Sequence, residues 1–538
     1  MKTMKKILLY CMPFCLLLAS CSDLLDEESY SETGKGNYLN NAKEAETVLQ
    51  GVYKNLANEY TYSYHLSLLF TISTDIAQCE GSSTTSFREI PTNSHNASTS
   101  QISRTWQQLY SAIYDANDFI ETVSGRMDSW GSSDRELATI YLGEARALRA
   151  LFYFELVRWY GNVVLMTSTA DSRKKDEDYE QTAAKDVYAY IEEDLKYAAE
   201  VLPWAVDDTK RTSNAYRFSK GAALGLLAKV YCTWAGYPVK DESKWAEAEK
   251  VARRVVESGK HRLISDYETV WKNTCNGIWD AGESLIEVSF YSPTGLDSDN
   301  TAGRIGKWNG VSATTIDGER GRNAANWKVV YSFTRDWEVQ NDPRMKLSIA
   351  DYKYDHTLGS GPITYFSTIS SPNPSEDQKN RQRQLFTPGK WDTEKYVETS
   401  NYIVNNDKSN VNWYILRYSD VLLLFAEALN ESGGSIVDAV DAVNAVRRRG
   451  FGDTKHDLSY GLSREDLREA IRKERAYELC FEGHRKQDLI RWGIYYDRVM
   501  ETAQELVNWY SNANYAVARY IIKGRHELLP IPQRDLDM

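Results

Sequence analysis

Gly143-Glu144-Ala145-Arg146-Ala147-Leu148-Arg149-Ala150-Leu151-Phe152-Tyr153-Phe154-Glu155-Leu156-Val157-Arg158-Trp159-Tyr160-Gly161 is the run whose reading decides the fold. Between its two glycines there is no helix breaker, and Leu137, Tyr141, Leu148, Phe152 and Trp159 recur at helical spacings along one face. That periodicity predicts a long helix over about 135–160. Ser133 and Glu136 stand at the spacing of a capping box, and Gly161 can end the helix in a left-handed turn. Glu144, Arg146, Arg149 and Glu155 interrupt the apolar run. They read as structural, because a planar guanidinium pairs carboxylates across stacked helices.

Outward from this run, similar patterns predict helices over roughly 42–59, 101–123, 183–202, 220–234, 245–257, 414–430, 437–449 and 464–481. Many fall in consecutive pairs. Ala223, Leu226, Leu227, Val230 and Tyr231 supply one apolar face, and Trp245, Ala248, Ala252 and Val255 another. A helix pair of this size cannot bury such a face alone, so stacked pairs sharing one core are expected, as in tetratricopeptide repeats. The fold class is therefore mostly α, a tetratricopeptide-like scaffold. Between about 262 and 412 the composition turns to Gly, Asn, Ser and Thr, with scattered aromatics and short extended runs such as 285–291. This reads as a loop-rich insertion carrying short strands, held by the rigid frame where binding residues are usually displayed.

The N-terminus reads as an address. Lys2, Lys5 and Lys6 precede an apolar run from Ile7 to Leu18, shorter than the roughly 20 apolar residues a membrane span needs. Leu18-Ala19-Ser20-Cys21 has the pattern of a lipobox, in which the Cys21 thiol receives the lipid; a plain secretory signal with a chance cysteine is the alternative. The expected organisation is a signal at 1–20, a lipidated flexible tether at 21–40 and a domain at 41–538, with scaffold segments 41–260 and 413–538 enclosing the insertion at 261–412. Acyl chains on Cys21 would hold that domain at a bilayer. The formal charge is −12, and the loss of those three lysines takes it to −15. With no visible basic cluster, a nucleic-acid partner is excluded. Cys11 and Cys15 lie in the signal, so Cys79, Cys232, Cys275 and Cys480 remain, expected as buried free thiols, although an oxidising compartment would permit a disulfide.

Five blocks in a fixed order carry a family resemblance. They are Trp106 to Asn117, the Gly143 to Gly161 run, Arg417-Tyr418-Ser419-Asp420-Val421-Leu422-Leu423-Leu424-Phe425-Ala426-Glu427 with Val443-Asn444-Ala445-Val446-Arg447, the segment Ile471-Arg472-Lys473-Glu474-Arg475 through Glu478-Leu479-Cys480-Phe481-Glu482-Gly483-His484-Arg485 to Asp488-Leu489-Ile490-Arg491-Trp492-Gly493, and the closing Leu528-Leu529-Pro530-Ile531-Pro532. Together they resemble the SusD/RagB family, the outer-membrane nutrient-binding lipoproteins of Bacteroidetes. The acidic stretch Ser22, Asp23, Asp26, Glu27 and Glu28 resembles that group's surface-export signal. The resemblance implies a surface-exposed lipoprotein that binds a glycan and delivers it to a SusC-like TonB-dependent transporter, without catalysis. A peptide-binding RagB-like protein is the alternative within the family. A lipid-anchored glycoside hydrolase and a protein-binding repeat scaffold are the alternatives outside it. The family's site lies partly in the loop after the first helices, here 75–98, which implicates Arg88, Asn93 and Asn96 as partners for sugar hydroxyls.

A search for other chemistry finds no His-Glu-x-x-His, Cys-x-x-Cys, Gly-x-Ser-x-Gly or Gly-x-x-x-x-Gly-Lys. Glu474, Glu478, Glu482, His484 and Arg485 have the composition of an acid/base cluster, but Arg–Glu pairing that holds helices in register is the better reading, with Arg475 and Arg485 bridging helices. Asp297-Ser298-Asp299-Asn300 lacks a full calcium-loop pattern and reads as a solvated turn, so no metal and no cofactor are assigned. The 36 Tyr and 15 Trp supply flat faces on which the C–H face of a sugar packs. Trp106, Tyr110, Tyr114, Trp159 and Trp492 lie at helical spacings and belong to the core. Trp279, Tyr291, Trp308 and Trp327 fall in the insertion and are the candidate ligand platforms.

Overall fold

The computed structural model describes residues 38–174, 179–292, 301–316, 319–358, 363–366 and 373–533. The expected signal, Cys21, the expected tether as far as residue 37, and Asp297 to Asn300 lie outside them; residues 38–40 are described, and Leu39 is already buried in the core. The apolar periodicities fold into α1 (Ala42–Lys54), α2 (Ser100–Arg126), α3 (Ser132–Tyr160), α4 (Ala184–Val201), α5 (Lys220–Ala235), α6 (Lys244–Val256), α7 (Tyr267–Cys275), α8 (Tyr418–Ser432), α9 (Ile436–Phe451), α10 (Arg464–Glu478), α11 (Arg485–Arg491) and α12 (Tyr495–Trp509). Consecutive helices pack in a stack: α2 on α3, α3 on α4, α4 on α5, and α5 on α6. After α6 the chain leaves for the insertion. It returns as α8, which packs against α6 and resumes the stack with α9.

Helix α3 is the centre of the first half. It carries Leu148, Phe152 and Trp159 into the core as the periodicity predicts, yet its opposite face is buried too, including Glu144, Arg149 and Glu155. A helix buried all round must satisfy every polar group from its neighbours. Arg149 does so with Nε and Nη2 donating to the two oxygens of Asp194 of α4, at 2.8 Å each, and Nη1 donating to Asn117 of α2. Glu155 accepts from Arg158, Trp159 and the Tyr62 hydroxyl. Gly161 ends the helix at φ +79°, its N–H bonded to the Val157 carbonyl. The expected capping box is not formed: α3 begins at Ser132, Gly131 is the N-cap, and no side chain caps it.

Other boundaries move for local reasons. Helix α1 stops at Lys54 because the Asn55 amide turns back onto the Val52 carbonyl and bonds Asp115 of α2. Helix α10 stops at Glu478, and Phe481 follows with a left-handed φ of 65°. The start of the helix expected over 414–430 is instead a strand. Among several short strands are β1 (Ala77–Cys79), β2 (Ser284–Val288), β3 (Trp327–Val329) and β4 (Trp413–Arg417); β1 pairs β3 and β2 pairs β4, both antiparallel. The β2–β4 ribbon pairs an early segment of the insertion with the segment that follows its end, next to the start of α8. One continuous hydrophobic core runs from Leu39 to Leu529 and takes in Trp327 and Trp391 of the insertion.

The C-terminal charged blocks form a buried lattice. Arg417 bonds Glu482 through Nε and Nη2 at 2.7 and 2.8 Å, Glu283 at 2.7 Å and Glu478 at 3.0 Å. Arg344 bonds Asp342, Glu474 and Glu478, and Lys390 closes the set on Glu482 at 2.7 Å. Arg475 joins Asp420 of α8 to Asp488 of α11, as a helix bridge should. Arg485 reaches α10 through a long bond from Nη1 to the Arg472 carbonyl, 3.4 Å, but its carboxylate partner is Asp75, in the loop ahead of β1. Every carboxylate that suggested acid/base chemistry is therefore saturated by protein partners. Burial lowers His484 to about 3, with Lys229 adding to the shift, so it is neutral at physiological pH.

Candidate functional site

The loop at 75–98 and the start of the insertion meet beside the end of α1. Residues 59–64 are stitched to the insertion by the Arg304 N–H donating to the Ser63 carbonyl at 3.0 Å and by an Arg304–Glu59 ion pair at 2.7 Å. Directly after them, His65–Leu69 make a π-helical turn, a distortion often found at functional sites. In the turn that follows Arg304, the N–H groups of Lys307 and Trp308 both return to the Arg304 carbonyl. Arg304 and Trp308 consequently project together.

There they form an aromatic cluster. The Trp308 ring lies 4.8 Å from Tyr64 and 5.0 Å, edge-on, from Phe87, and the Arg304 guanidinium stands over both Tyr64 and Trp308 at 4.6 and 5.2 Å. Arg88 covers the outer face of Phe87 at 4.5 Å and is held by its Nε donating to the Glu80 carbonyl. Three polar atoms in this cluster, the Tyr64 hydroxyl, Arg304 Nε and Trp308 Nε1, are shielded yet have no hydrogen-bond partner. Leaving such donors unmet costs roughly 1–3 kcal/mol each, so a cluster of them marks a place where a water or a ligand supplies the partner.

The candidate residues separate into different roles. Trp308 is half-buried at the cluster's centre and Arg88 half-exposed at its edge. Trp327 does not offer the open face expected of a platform: the residue is 2% exposed, because β3 pairs with β1 and brings Trp327 opposite Cys79 in the core. Its backbone N–H donates to the Trp308 carbonyl at 3.0 Å, so it holds Trp308 in place. Asn93 is also buried, with its amide donating to the Val517 carbonyl at 2.9 Å. Its Oδ1 is unpartnered, and the residue lines a polar cleft of about 370 Å³ with His95 and His526. Burial lowers those imidazoles to about 3 and 4. Asn96 is exposed, but its Oδ1 accepts from the Ser98 N–H ahead of α2, a turn-forming role. Trp279 packs beside Tyr216 at 6.3 Å, and Tyr291 is 68% exposed at a separate cleft. Sequence reasoning missed Tyr64, Phe87 and Arg304. The only local signal was the Arg304–Trp308 spacing of four.

Two carboxyls are raised into a range useful for proton transfer, Glu287 to about 7 and Asp392 to about 6, each chiefly by burial. Asp392 is shielded beneath the Tyr352 and Tyr354 hydroxyls that donate to it at 2.8 and 3.0 Å, and Glu287 accepts from Asn412 and Ser284. Asp392 is enclosed by the protein, whereas Glu287, though buried, borders a cleft of about 570 Å³ between the first helix and the insertion. Among the described residues, no group of three or more His, Cys, Asp or Glu side chains is placed to hold a metal ion. No helix among them is long and apolar enough to cross a membrane.

The architecture is thus that of a mostly helical repeat scaffold whose candidate site is built by inserted loops rather than by the repeats. A profile described as "SusD family" matches residues 297–538, and one described as "Starch-binding associating with outer membrane" matches residues 23–232. The crystal structure of a SusD homolog from Bacteroides thetaiotaomicron is 55% identical, with a TM-score of 0.90, over 95% of this chain and 98% of that one. SusD-like protein P2 from Formosa agariphila is 26% identical over 91% of each chain. Surface glycan-binding protein A from Bacteroides thetaiotaomicron, in complex with laminarihexaose, shares the fold at 19% identity, with a TM-score of 0.67 over 92% of this chain and 97% of that one. The chain belongs to the SusD family.

Proposed function

We propose that this protein is a surface glycan-binding lipoprotein of the outer membrane, which captures an oligosaccharide and delivers it to a SusC-like TonB-dependent transporter without breaking a bond. The observation that carries the reading is the Trp308 cluster, where aromatic rings and guanidinium groups surround three unpartnered donors. A pyranose offers both counterparts, an apolar C–H face for an indole and hydroxyls for orphan donors. The family descriptions, and a fold neighbour holding laminarihexaose, support a glycan as the ligand. Lipid on Cys21 would keep the domain at the membrane. The saturation of Glu474, Glu478 and Glu482 by arginines and Lys390 supports binding rather than hydrolysis at that cluster.

Calorimetric titration with laminari-, malto-, cello-, xylo- and mannohexaose tests the proposal. One of these should bind and be recovered intact after prolonged incubation. Silence across the panel together with capture of peptides would replace the glycan by a peptide ligand, and steady release of shorter sugars would make the protein a hydrolase.

A further inference from the structure

Beside α1, bordered by Leu49 and Leu56 at the edge of the core, the helix and two loops enclose a cleft of about 570 Å³, within the range of about 300–1,000 Å³ usual for small-molecule sites. One wall is α1 itself, where Glu46, Gln50 and Lys54 follow one another at intervals of four and so form a ladder of polar groups along one face. The opposite wall is the loop ahead of α5, whose Arg217 is fixed by two bonds to the buried Glu144 at 2.9 and 2.7 Å and pairs in turn with Glu46. Beside it Tyr216 has a φ of 61°, a left-handed conformation that a bulky side chain adopts at a cost of roughly 1–3 kcal/mol. The surroundings hold it there: the Tyr216 hydroxyl donates to the Gly277 carbonyl, and Trp279 packs beside its ring. Tyr291, beyond the end of β2, lines the cleft while remaining largely exposed.

We propose that this cleft is a second saccharide site, separate from the Trp308 cluster, in which the Tyr216 and Tyr291 rings take the faces of a neutral oligosaccharide and Glu46, Gln50 and Lys54 take its hydroxyls. The inference rests on the glycan-binding reading above. Its chemistry differs from that of the first cluster. Here Glu46 and Arg217 neutralise one another as an ion pair, Gln50 and Lys54 add an amide and an ammonium, and the Glu287 carboxyl, raised to about 7 by burial, borders the same cleft, so acceptors and donors stand together and a ring bearing many hydroxyls fits. A strained tyrosine bolted in place from behind presents its ring without further ordering on binding, which lowers the entropic cost of association.

The stoichiometry of the same hexasaccharide panel tests this in the full chain and in Tyr291→Ala, Gln50→Trp and Trp308→Ala. Tyr291 and Gln50 are exposed, and unchanged circular dichroism would verify folding of their variants. The expected result is two molecules of one hexasaccharide bound per protein, falling to one in Tyr291→Ala and in Gln50→Trp with the affinity of the remaining site unchanged, and falling to one at the other site in Trp308→Ala. A wild-type ratio of one that is abolished by Trp308→Ala and untouched by Tyr291→Ala and Gln50→Trp overturns the second site and leaves the glycan reading standing. No binding by any member of the panel overturns both. Peptide binding blocked by Gln50→Trp would overturn the ligand class assigned to the cleft.

Discussion

Arg485 grips both carboxylate oxygens of Asp75, at 2.8 Å from Nε and 2.7 Å from Nη2, across 410 positions of sequence. The bond ties α11, in the last signature block, to the loop that carries Phe87 and Arg88. Burial pushes the Asp75 carboxyl up, but Arg485 and then Arg498 outweigh it and hold it below its ordinary value. Arg485→Ala should therefore leave a buried carboxylate with Arg498 as its remaining partner and cost about 3 kcal/mol, at the lower end of what breaking a buried pair costs. The sign with pH follows. The contribution is present above the unfolded value of about 3.9 and is lost as pH falls through the lower folded value. Urea unfolding at pH 7 and pH 3 checks both; equal stability of variant and wild type at pH 7 would make the pair ornamental.

The sequence made α3 legible because its apolar spacing runs without a breaker from Glu144 to Tyr160. It did not make β4 legible. Tyr414, Ile415 and Leu416 continue smoothly into the helical pattern of α8, and the pairing of β4 with β2, from Trp413 opposite Val288 to Arg417 opposite Ser284, separates the two. The candidate site divides in the same way. Trp308 and Trp327 sit in similar Gly- and Asn-rich surroundings, and what buries one of them is a strand partner, Cys79, some 250 residues away. Burial fixed by distant pairing has no local signature. Phe87 was equally hidden, since a lone aromatic in a Ser- and Thr-rich loop says nothing until Trp308 is brought against its edge.

Glu287 gives a pH dependence of opposite sign. Burial raises its carboxyl to about 7, against hydrogen bonds from Asn412, Ser284 and Thr274 that favour the charged form. From about pH 4.5 to 7 the folded protein keeps a proton that the unfolded chain has released, so this group's contribution is complete below that window and lost as pH rises through it. Glu287→Gln removes the titration. Its stability relative to wild type should grow by about 3 kcal/mol between pH 4.5 and 8, because each pH unit between the unfolded and folded pKa values is worth ~1.4 kcal/mol. Parallel stability profiles for the two proteins would refute the assignment.

The four described cysteines, Cys79, Cys232, Cys275 and Cys480, are buried and free. Burial raises the Cys79 and Cys480 thiols to about 11, far from the pH at which a thiolate forms in neutral buffer. In a chain beginning at residue 22, a thiol reagent at pH 8 should therefore find nothing to react with until denaturant is added, and all four afterwards. Rapid reaction of even one thiol in the native protein would show that the core around it opens readily.

Trp308 and Trp327 provide the sharpest functional contrast, because two tryptophans joined by one backbone hydrogen bond are expected to fail in different ways. Trp327→Ala removes a ring from the interior and should cost about 3–5 kcal/mol of stability, as large-to-small core changes do. Trp308→Ala removes a half-buried ring at the edge of the core, so the fold should survive with a smaller loss. Binding of the hexasaccharide at that site should weaken at least tenfold, about 1.4 kcal/mol or more. Thermal unfolding and titration of both variants separate the two roles. A Trp308 variant that binds as tightly as wild type would mean that the unpartnered donors around it serve a water rather than a sugar, and the ligand would have to be sought at the Tyr291 cleft or at the polar cleft beside His95.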